Sequence, residues 1–205
     1  MIYSPLIPKQ RFYNLKLESI TVNGQMLQVD PEVFKTSSRK GAIVDSGTTL
    51  AFFNEGVYNP LVDAITRTIP PSVGTTDSDG YHCYLVTNSE LSIINIFPLV
   101  SLNFANQASM VLRPEDYLLP LPMLGGEKWC IGFQKAQDQT ILGDIILKDK
   151  IIVYDLAKQR IGWTYHNCSL PFNVSTRSSG KSITEKGGTL HLTMIVVLVF
   201  FMHLI

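Results

Sequence analysis

One carboxylate in a short polar turn is the group in this sequence that is best placed to do chemistry. Asp45 follows the apolar residues Ala-Ile-Val and precedes Ser46, Gly47, Thr48 and Thr49, after which the run Leu-Ala-Phe-Phe begins. The apolar flanks predict a largely enclosed turn, and an enclosed carboxylate needs hydrogen-bond donors. The hydroxyls and backbone N–H groups of this turn can supply them, so the carboxylate can act as a general acid or base. The alternative is an ordinary turn in which Asp and Ser bond their own backbone.

A second apolar segment far downstream could complete the same site. Ile141 and Leu142 stand directly before Gly143, in the order Thr-Ile-Leu-Gly-Asp. By itself this motif is weak, because a buried strand that ends at a glycine has the same pattern.

Metal and serine chemistry are poorly supported. The three Cys and four His show no close ligand spacing, so the sequence predicts neither a metal site nor a cofactor. The turn superficially resembles the loop around a nucleophilic serine, with Ser46 as the nucleophile. Thr48 and Val44 stand where such loops need glycine, however, and no His is an obvious catalytic base.

Strands dominate the elements that must position the turn. Apolar and β-branched runs alternate with turn signals over residues 12–168, and Asn23-Gly24 between two such runs predicts a two-residue hairpin. One helix is predicted with Asn54 as its cap, apolar residues at helical spacing as far as Ile69, and a stop at the following Pro-Pro. The pattern predicts an all-β fold with a few short helices.

Length and charge limit the possible partners. The 205-residue chain is long enough for one sizeable domain, which we place at residues 1–170. Seventeen basic and seventeen acidic residues leave no net charge, and neither sign forms a long run, so nucleic acid is not expected as a partner.

The composition changes after residue 170. Residues 171–189 are rich in Ser, Thr, Gly and Lys and predict an unpacked stalk, and residues 190–205 form an apolar tail that is short for a bilayer span of about 20 residues. Three small residues from Ser178, a polar spacer and the apolar end match a removable lipid-anchor signal. Ser178 is therefore the predicted attachment point, with a retained membrane tail or a buried helix as alternatives.

Two N-glycosylation sequons lie near the start of the stalk. They begin at Asn167 and Asn173, and each alone is a weak signal. Together with the anchor pattern they predict the secretory route, with the protein on the extracellular side of the cell surface or plasma membrane. The first residues do not form a secretory signal peptide, because prolines interrupt them.

Four short segments, taken in order, carry a family resemblance. They are the turn from Val44 to Thr49, the Ile-Leu-Gly-Asp run from Ile141, the Val-Tyr-Asp run from Val153 and the Arg-Ile-Gly-Trp run from Arg160. Together they resemble the C-terminal lobe of pepsin-like aspartic proteases. The resemblance is closest to the nepenthesin-related, lipid-anchored plant branch, whose lobe is of the xylanase-inhibitor C-terminal type. That closer match is carried by the stretch from Tyr13 to Gly24, by Gly162-Trp163 running into Asn167-Cys-Ser169, and by the Ser-rich stalk with its apolar end.

The resemblance implies a role for each candidate residue. Asp45 is then one of two catalytic aspartates. The residues of the turn and of the strand that crosses beneath it are Ser46, Gly47, Thr48, Thr49, Leu142 and Gly143. Among these, Thr48 is expected to help grip the opposite lobe, and the strand that ends at Gly143 is expected to fix the turn.

The resemblance also implies a disulfide between Cys83 and Cys130. Two buried thiols are the alternative at these positions. Cys168 is left over by count, and the resemblance places its partner in the N-terminal lobe.

The catalytic scheme implied by the resemblance needs two carboxylates, and this sequence offers one. Peptide hydrolysis by this route requires two acids about 3 Å apart that share a proton, and no second Asp-Ser/Thr-Gly turn is present. We therefore expect the C-terminal lobe of an aspartic endopeptidase, truncated so that the N-terminal lobe is missing. This lobe is expected to be inactive alone. Its expected partners are a peptide or protein substrate, that lobe, and a membrane through the anchor or tail. A catalytically silent lobe that binds peptides or proteins, and a symmetric dimer with two copies of Asp45, are the alternatives.

Overall fold

The protein is described by a computed structural model that covers residues 1–36, 41–86, 92–123, 126–170 and 196–198. Within these ranges the chain is mostly β-strand, which confirms the predicted fold class. The strands, in chain order, are β1 Ile2–Pro5, β2 Asn14–Leu15, β3 Leu17–Val22, β4 Gln25–Met26, β5 Gly41–Val44, β6 Ala51–Asn54, β7 Gly74–Ser78, β8 Tyr81–Val86, β9 Val100–Phe104, β10 Ala108–Leu112, β11 Leu118–Met123, β12 Gly126–Ile131, β13 Phe133–Ala136, β14 Gln139–Leu142, β15 Lys150–Asp155, β16 Arg160–Tyr165 and β17 Val196–Leu198.

Helices are few and short. The α-helices are α1 Glu55–Thr66, α2 Ile93–Ile96 and α3 Asp144–Leu147. The 3-10 turns are Pro31–Phe34, Pro114–Asp116 and Leu156–Lys158.

Four sheets are formed by these strands, and one of them carries the candidate site. Its order is β13-β6-β14-β5-β2. β14 pairs in parallel with β5, with Ile141 opposite Ile43, and it also bridges to β6 through Ile141 and Phe52. The segment that joins β5 to β6 must therefore pass over the end of β14.

The remaining sheets surround this one. Their orders are β1-β16-β15-β17, β10-β9-β3-β4 and β11-β12-β8-β7. The apolar core of the described residues runs beneath the site, where Phe53 and Phe133 meet edge to face with ring centroids 5.2 Å apart. Leu142, from the strand beneath the turn, is fully buried in this core.

The predicted helix is confirmed at its start and is shorter at its end. The side chain of Asn54 accepts a 3.1 Å hydrogen bond from the backbone N–H of Val57, as expected of an N-cap. The helix ends at Thr66 rather than near Ile69. Thr68 donates its hydroxyl to the carbonyl of Ile65, so the last turn is closed before the apolar spacing ends.

The predicted hairpin is also confirmed. Asn23 and Gly24 both have positive φ, at 48° and 77°, as a two-residue turn of this kind requires. Val22 and Gln25 pair across it.

Several predictions lie outside the described residues. These are the glycosylation site Asn173, the anchor site Ser178, the stalk at 171–189, and the tail apart from β17, which pairs antiparallel with β15. Among the residues that are described, no helix is long and apolar enough to cross a membrane.

Candidate active site

The turn that carries Asp45 is anchored to the strand beneath it. The backbone N–H of Asp45 donates to the carbonyl of Leu142 at 3.1 Å, which continues the pairing of β5 with β14 by one residue. The N–H of Thr48 then donates to the Asp45 carbonyl at 3.2 Å and closes the turn. The position of the carboxylate is thus set by two segments that are far apart in the chain.

Both carboxylate oxygens of Asp45 accept hydrogen bonds from the same turn. The backbone N–H of Gly47 donates to Oδ1 at 3.0 Å, and the hydroxyl of Thr48 donates to Oδ2 at 2.7 Å. Each oxygen keeps a further acceptor position. The carboxylate is therefore fixed in orientation and still free to accept or share a proton.

Gly143 permits the close approach of β14 to the turn. A Cβ at this position would lie 2.6 Å from the carbonyl oxygen of Thr48 and closer still to that of Leu50. Immediately beyond it, the N–H of Asp144 donates to the Thr48 carbonyl at 2.7 Å, and the N–H of Ile145 donates to the Thr49 carbonyl at 2.9 Å. No residue with a side chain fits here without moving backbone.

The turn is less enclosed than its apolar flanks predict. Val44 is buried, but Asp45 and Ser46 are only half-buried, and Gly47 and Thr49 are exposed. The prediction of a largely enclosed turn is therefore wrong for its outer side. The apolar flanks bury the strands below the turn, while the turn itself faces an open cleft.

The three hydroxyls of the turn have different roles. That of Thr48 donates to Asp45 and keeps its acceptor positions, so the expected contact of Thr48 with an opposite lobe stays a prediction. The Ser46 side chain lies beside the phenol of Tyr154, where it lowers the pKa of that phenol. Thr49 contributes through its backbone carbonyl, which accepts from Ile145.

A pair of tyrosines supports the turn from the side, and sequence reasoning did not assign either of them to the site. Tyr13 and Tyr154 pack with ring centroids 4.9 Å apart, and the Tyr13 carbonyl accepts from the Val44 N–H at 3.1 Å. Burial raises the pKa of the Tyr154 phenol, with Tyr13 and Asp45 adding to the effect and Ser46 opposing it. The sequence signal for Tyr154 was the Val-Tyr-Asp run at the right distance from the turn.

A cleft of about 760 Å³ opens beside the carboxylate. One wall is the loop of residues 6–13, here called the rim loop, which carries Lys9, Arg11 and Phe12. The floor is the end of β5 with Asp45 and Ser46, and the other wall includes Tyr154 and the turn after β15. Asp45 is the one acidic residue among the described residues that line this cleft.

The other acidic motifs lie elsewhere. Asp77 pairs with His82 at 2.9 Å, and Asp155 pairs with Arg160 at 2.9 Å. Burial raises the pKa of the Asp144 carboxyl, with Lys148 opposing, but Asp144 does not line the cleft. Among the described residues, no group of three or more His, Cys, Asp or Glu is placed to hold a metal ion.

The disulfide that the resemblance implied is present. Cys83 and Cys130 are bonded and stand opposite each other on the paired strands β8 and β12. Cys168 is a free, half-buried thiol, and burial together with Asp149 raises its pKa. Asn167, the sequon residue that the structure describes, is exposed, and its side-chain oxygen accepts from the Ser169 N–H at 3.0 Å.

Comparison with known proteins gives a family and several relatives. The sequence profile of the family described as xylanase inhibitor C-terminal matches residues 12–165. The chain is 32% identical to Aspartic proteinase 36 of Arabidopsis thaliana over 182 residues. This alignment covers 85% of this chain and 36% of that protein. It is 28% identical to the aspartic proteinase nepenthesin-1 of Nepenthes gracilis over 171 residues, in an alignment that covers 82% of this chain and 38% of that protein. The chain therefore spans little more than a third of the length of these curated relatives.

A solved structure agrees on the fold. The crystal structure of EDGP superposes with a TM-score of 0.67 over 80% of this chain and 45% of that chain. The two are 13% identical in sequence, so this likeness concerns the fold alone.

Proposed function

Because the chain belongs to the xylanase inhibitor C-terminal family and forms the C-terminal lobe of a pepsin-like aspartic protease, we propose that it contributes one carboxylate, Asp45, to an aspartic endopeptidase site. The observation that carries this proposal is the state of that carboxylate. It is held on both oxygens by its own turn and lies at the floor of an open cleft that is large enough for part of a peptide.

The chemistry of such a site depends on two acids that share one proton. Two carboxylates about 3 Å apart cannot both ionise, so one stays protonated while the other is charged. The charged acid accepts a proton from the attacking water, and the protonated acid donates a hydrogen bond to the carbonyl of the peptide bond. Asp45 can fill either role, because each of its oxygens keeps an acceptor position.

The second acid must come from outside the described part of this chain. No other acidic residue among the described residues lines the cleft; Asp138 and Asp144, which stand just before and just after the strand beneath the turn, are not in its lining. We propose that the second acid belongs to an N-terminal lobe that faces the open side of the cleft, and that the isolated chain does not hydrolyse peptides. Peptides or proteins are then the substrates of the combined site.

A chimeric protease tests this proposal. Residues 1–170 of this chain would replace the matched third of Aspartic proteinase 36, with the parent protein as a control for folding and assay. The chimera is expected to cleave protein at acidic pH, and Asp45→Asn is expected to abolish cleavage. Asp63→Asn, at an exposed position of α1, removes the same charge away from the cleft and should leave cleavage intact. A folded chimera in which Asp45→Asn cleaves as well as its parent would refute the proposal.

A catalytically silent binding lobe is the second candidate. It is favoured by the single acid among the described residues that line the cleft and by the family description, which refers to an inhibitor rather than a protease. This alternative predicts that the folded chimera binds peptides at the cleft but cleaves nothing. Pepstatin affinity separates the two, because a silent lobe does not bring Asp45 against the second acid of the chimera and so forms no shared proton for pepstatin to bind against.

We also propose that the protein follows the secretory route and is glycosylated and anchored at the cell surface. The disulfide supports this, because disulfides persist in oxidising compartments, and Asn167 is exposed as a glycan acceptor must be. Expression in plant cells followed by glycosidase and phospholipase treatment tests it. A mass shift that decreases in Asn167→Gln and disappears when Asn173→Gln is added, and release from membranes that is lost in a Ser178 variant, are expected. A protein without glycan or membrane association would contradict the proposal.

A further inference from the structure

The rim loop places two positive charges beside the cleft. Lys9 and Arg11 line the same cavity as Asp45, and both are exposed at its edge. Neither forms an ion pair with any residue that the structure describes, although the Arg11 guanidinium lies 5.6 Å from the ring centroid of Phe12. The described lining thus holds two unpaired cations against one carboxylate.

The rim loop is held in place at both ends. The N–H of Leu6 donates to the Gln159 carbonyl at 2.8 Å, and the N–H of Ile7 donates to the Asn14 carbonyl at 2.9 Å. At its other end, the Tyr13 carbonyl accepts from Val44, directly before the catalytic turn. The two cations therefore belong to a wall that is tied to the sheet of the site.

This inference rests on the proposed function. The geometry of the rim loop points to a preference of the cleft for substrates with a negatively charged side chain. We propose that Lys9 and Arg11 select peptides that place an aspartate or glutamate side chain against the rim loop when the backbone lies across Asp45. Phe12 and Tyr154 supply apolar surface for the residues beside that acidic side chain. Basic side chains at the same peptide position are disfavoured by like-charge repulsion.

The preference for an acidic peptide should be small, because Lys9 and Arg11 are exposed to solvent. Exposed ion pairs contribute little, so a glutamate in the peptide should bind about two- to fivefold more tightly than a glutamine. The difference should shrink at about 1 M salt, where the Debye length is about 3 Å. A preference that survives high salt would indicate hydrogen bonding or apolar contact rather than charge.

The experiment uses the full 205-residue chain and a series of short peptides. Each peptide carries one glutamate at a different position in an otherwise uncharged, partly apolar sequence, and the reference peptide carries glutamine. Binding is measured by amide chemical-shift changes at about pH 6, where glutamate is ionised. We expect every peptide to shift the signals of the Asp45 turn, and one or two adjacent glutamate positions to bind more tightly than the reference.

Variants assign the preference to the two cations. Lys9→Gln with Arg11→Gln should make the glutamate and glutamine peptides bind equally. Lys16→Gln with Arg67→Gln removes the same charge at exposed positions outside the cleft and should preserve the preference.

The outcomes separate this inference from the proposed function. Equal binding of all peptides by the unaltered chain, with shifts at the Asp45 turn, would overturn the charge preference and leave the peptide cleft standing. Absence of shifts at the turn with every peptide would overturn the peptide cleft itself. A preference that persists in the Lys9 and Arg11 double variant would also overturn the assignment.

Discussion

The hydroxyl of Thr48 donates a 2.7 Å hydrogen bond to Oδ2 of Asp45, three residues earlier in the same turn. The carboxylate is therefore oriented by its own turn, without help from another lobe. The same turn is fixed from below through Gly143, whose lack of a side chain lets β14 reach the Thr48 carbonyl. The orientation of the Asp45 carboxylate is thus set by neighbours in sequence, whereas the position of its turn depends on β14, which is far along the chain.

Removal of the Thr48 hydroxyl should weaken catalysis more than folding. In the chimera, Thr48→Val should lower kcat/KM by about 10- to 100-fold, because hydrogen bonds to charged groups contribute about 1.5–3 kcal/mol. Thr48→Ser keeps the hydroxyl and should retain most of the activity. Steady-state kinetics on chimeras with matched circular dichroism spectra checks this, and equal loss in both variants would contradict the role of the hydroxyl.

A methyl group at Gly143 should disrupt the fold of the site. Gly143→Ala would press a Cβ against the carbonyl oxygens of Leu50 and Thr48, which are backbone atoms and cannot turn aside. The expected loss in the free energy of unfolding is about 3 kcal/mol or more, as for severe overpacking. Gly74→Ala meets Leu85 at ordinary contact distance and should change stability by less than about 1 kcal/mol. Urea unfolding of both variants measures the difference, and similar stabilities would show that the turn adapts.

The turn of the site and two features of the fold could be predicted because their sequence signals are local. A carboxylate with hydroxyl neighbours and a glycine identifies the Asp45 turn, an Asn cap identifies the start of α1, and Asn23-Gly24 identifies a hairpin. Family resemblance added the pairing of Cys83 with Cys130, which spacing alone left open.

The other contributions to the site depend on which strands are neighbours. Tyr13 and Tyr154 come from opposite ends of the chain, and nothing near either residue in sequence predicts that their rings pack beside Asp45. The openness of the turn has the same origin. Apolar flanks indicate that the strands are buried, but only the arrangement of the sheets decides whether the loop between them is covered.

Loss of the disulfide should destabilise the lobe strongly. Cys83 and Cys130 close a loop with a sequence separation of 47 residues, for which the chain-entropy relation gives about 4 kcal/mol. The double change to serine should lower the free energy of unfolding by about that amount, and dithiothreitol should do the same to the unaltered protein. Cys168→Ser is the matched control and should shift stability by no more than about 1 kcal/mol. A double variant as stable as the control would contradict a structural role.

A buried ion pair remote from the cleft should make stability depend on alkaline pH. Lys150 and Asp116 lie 3.2 Å apart with side chains that are 5% and 1% exposed. Burial lowers the pKa of Lys150 from 10.5, while Asp116 and Asp149 oppose the shift and Arg113 adds to it. The folded protein then binds fewer protons than the unfolded chain just below that value, so this group's contribution to stability rises as the pH approaches 10.5.

Paired substitutions test this cluster. Asp116→Asn should cost about 3–5 kcal/mol, because it leaves the Lys150 charge buried beside a neutral group. Adding Lys150→Met should recover part of the loss and should remove the alkaline rise in stability relative to the Asp116 single variant. Guanidinium unfolding as a function of pH measures both effects, and additive costs with an unchanged pH profile would contradict the coupling.

The measurement that tests the account most directly is acid proteolysis by the isolated chain held as a monomer. The 205-residue chain would be incubated with an unfolded protein substrate at acidic pH, with sedimentation analysis of the same sample to establish its monomeric state. A site with one carboxylate has no shared proton, so the account predicts no cleavage above that of Asp45→Asn. Cleavage by the strict monomer that disappears in Asp45→Asn would contradict the account, because this chain would then hold both acids.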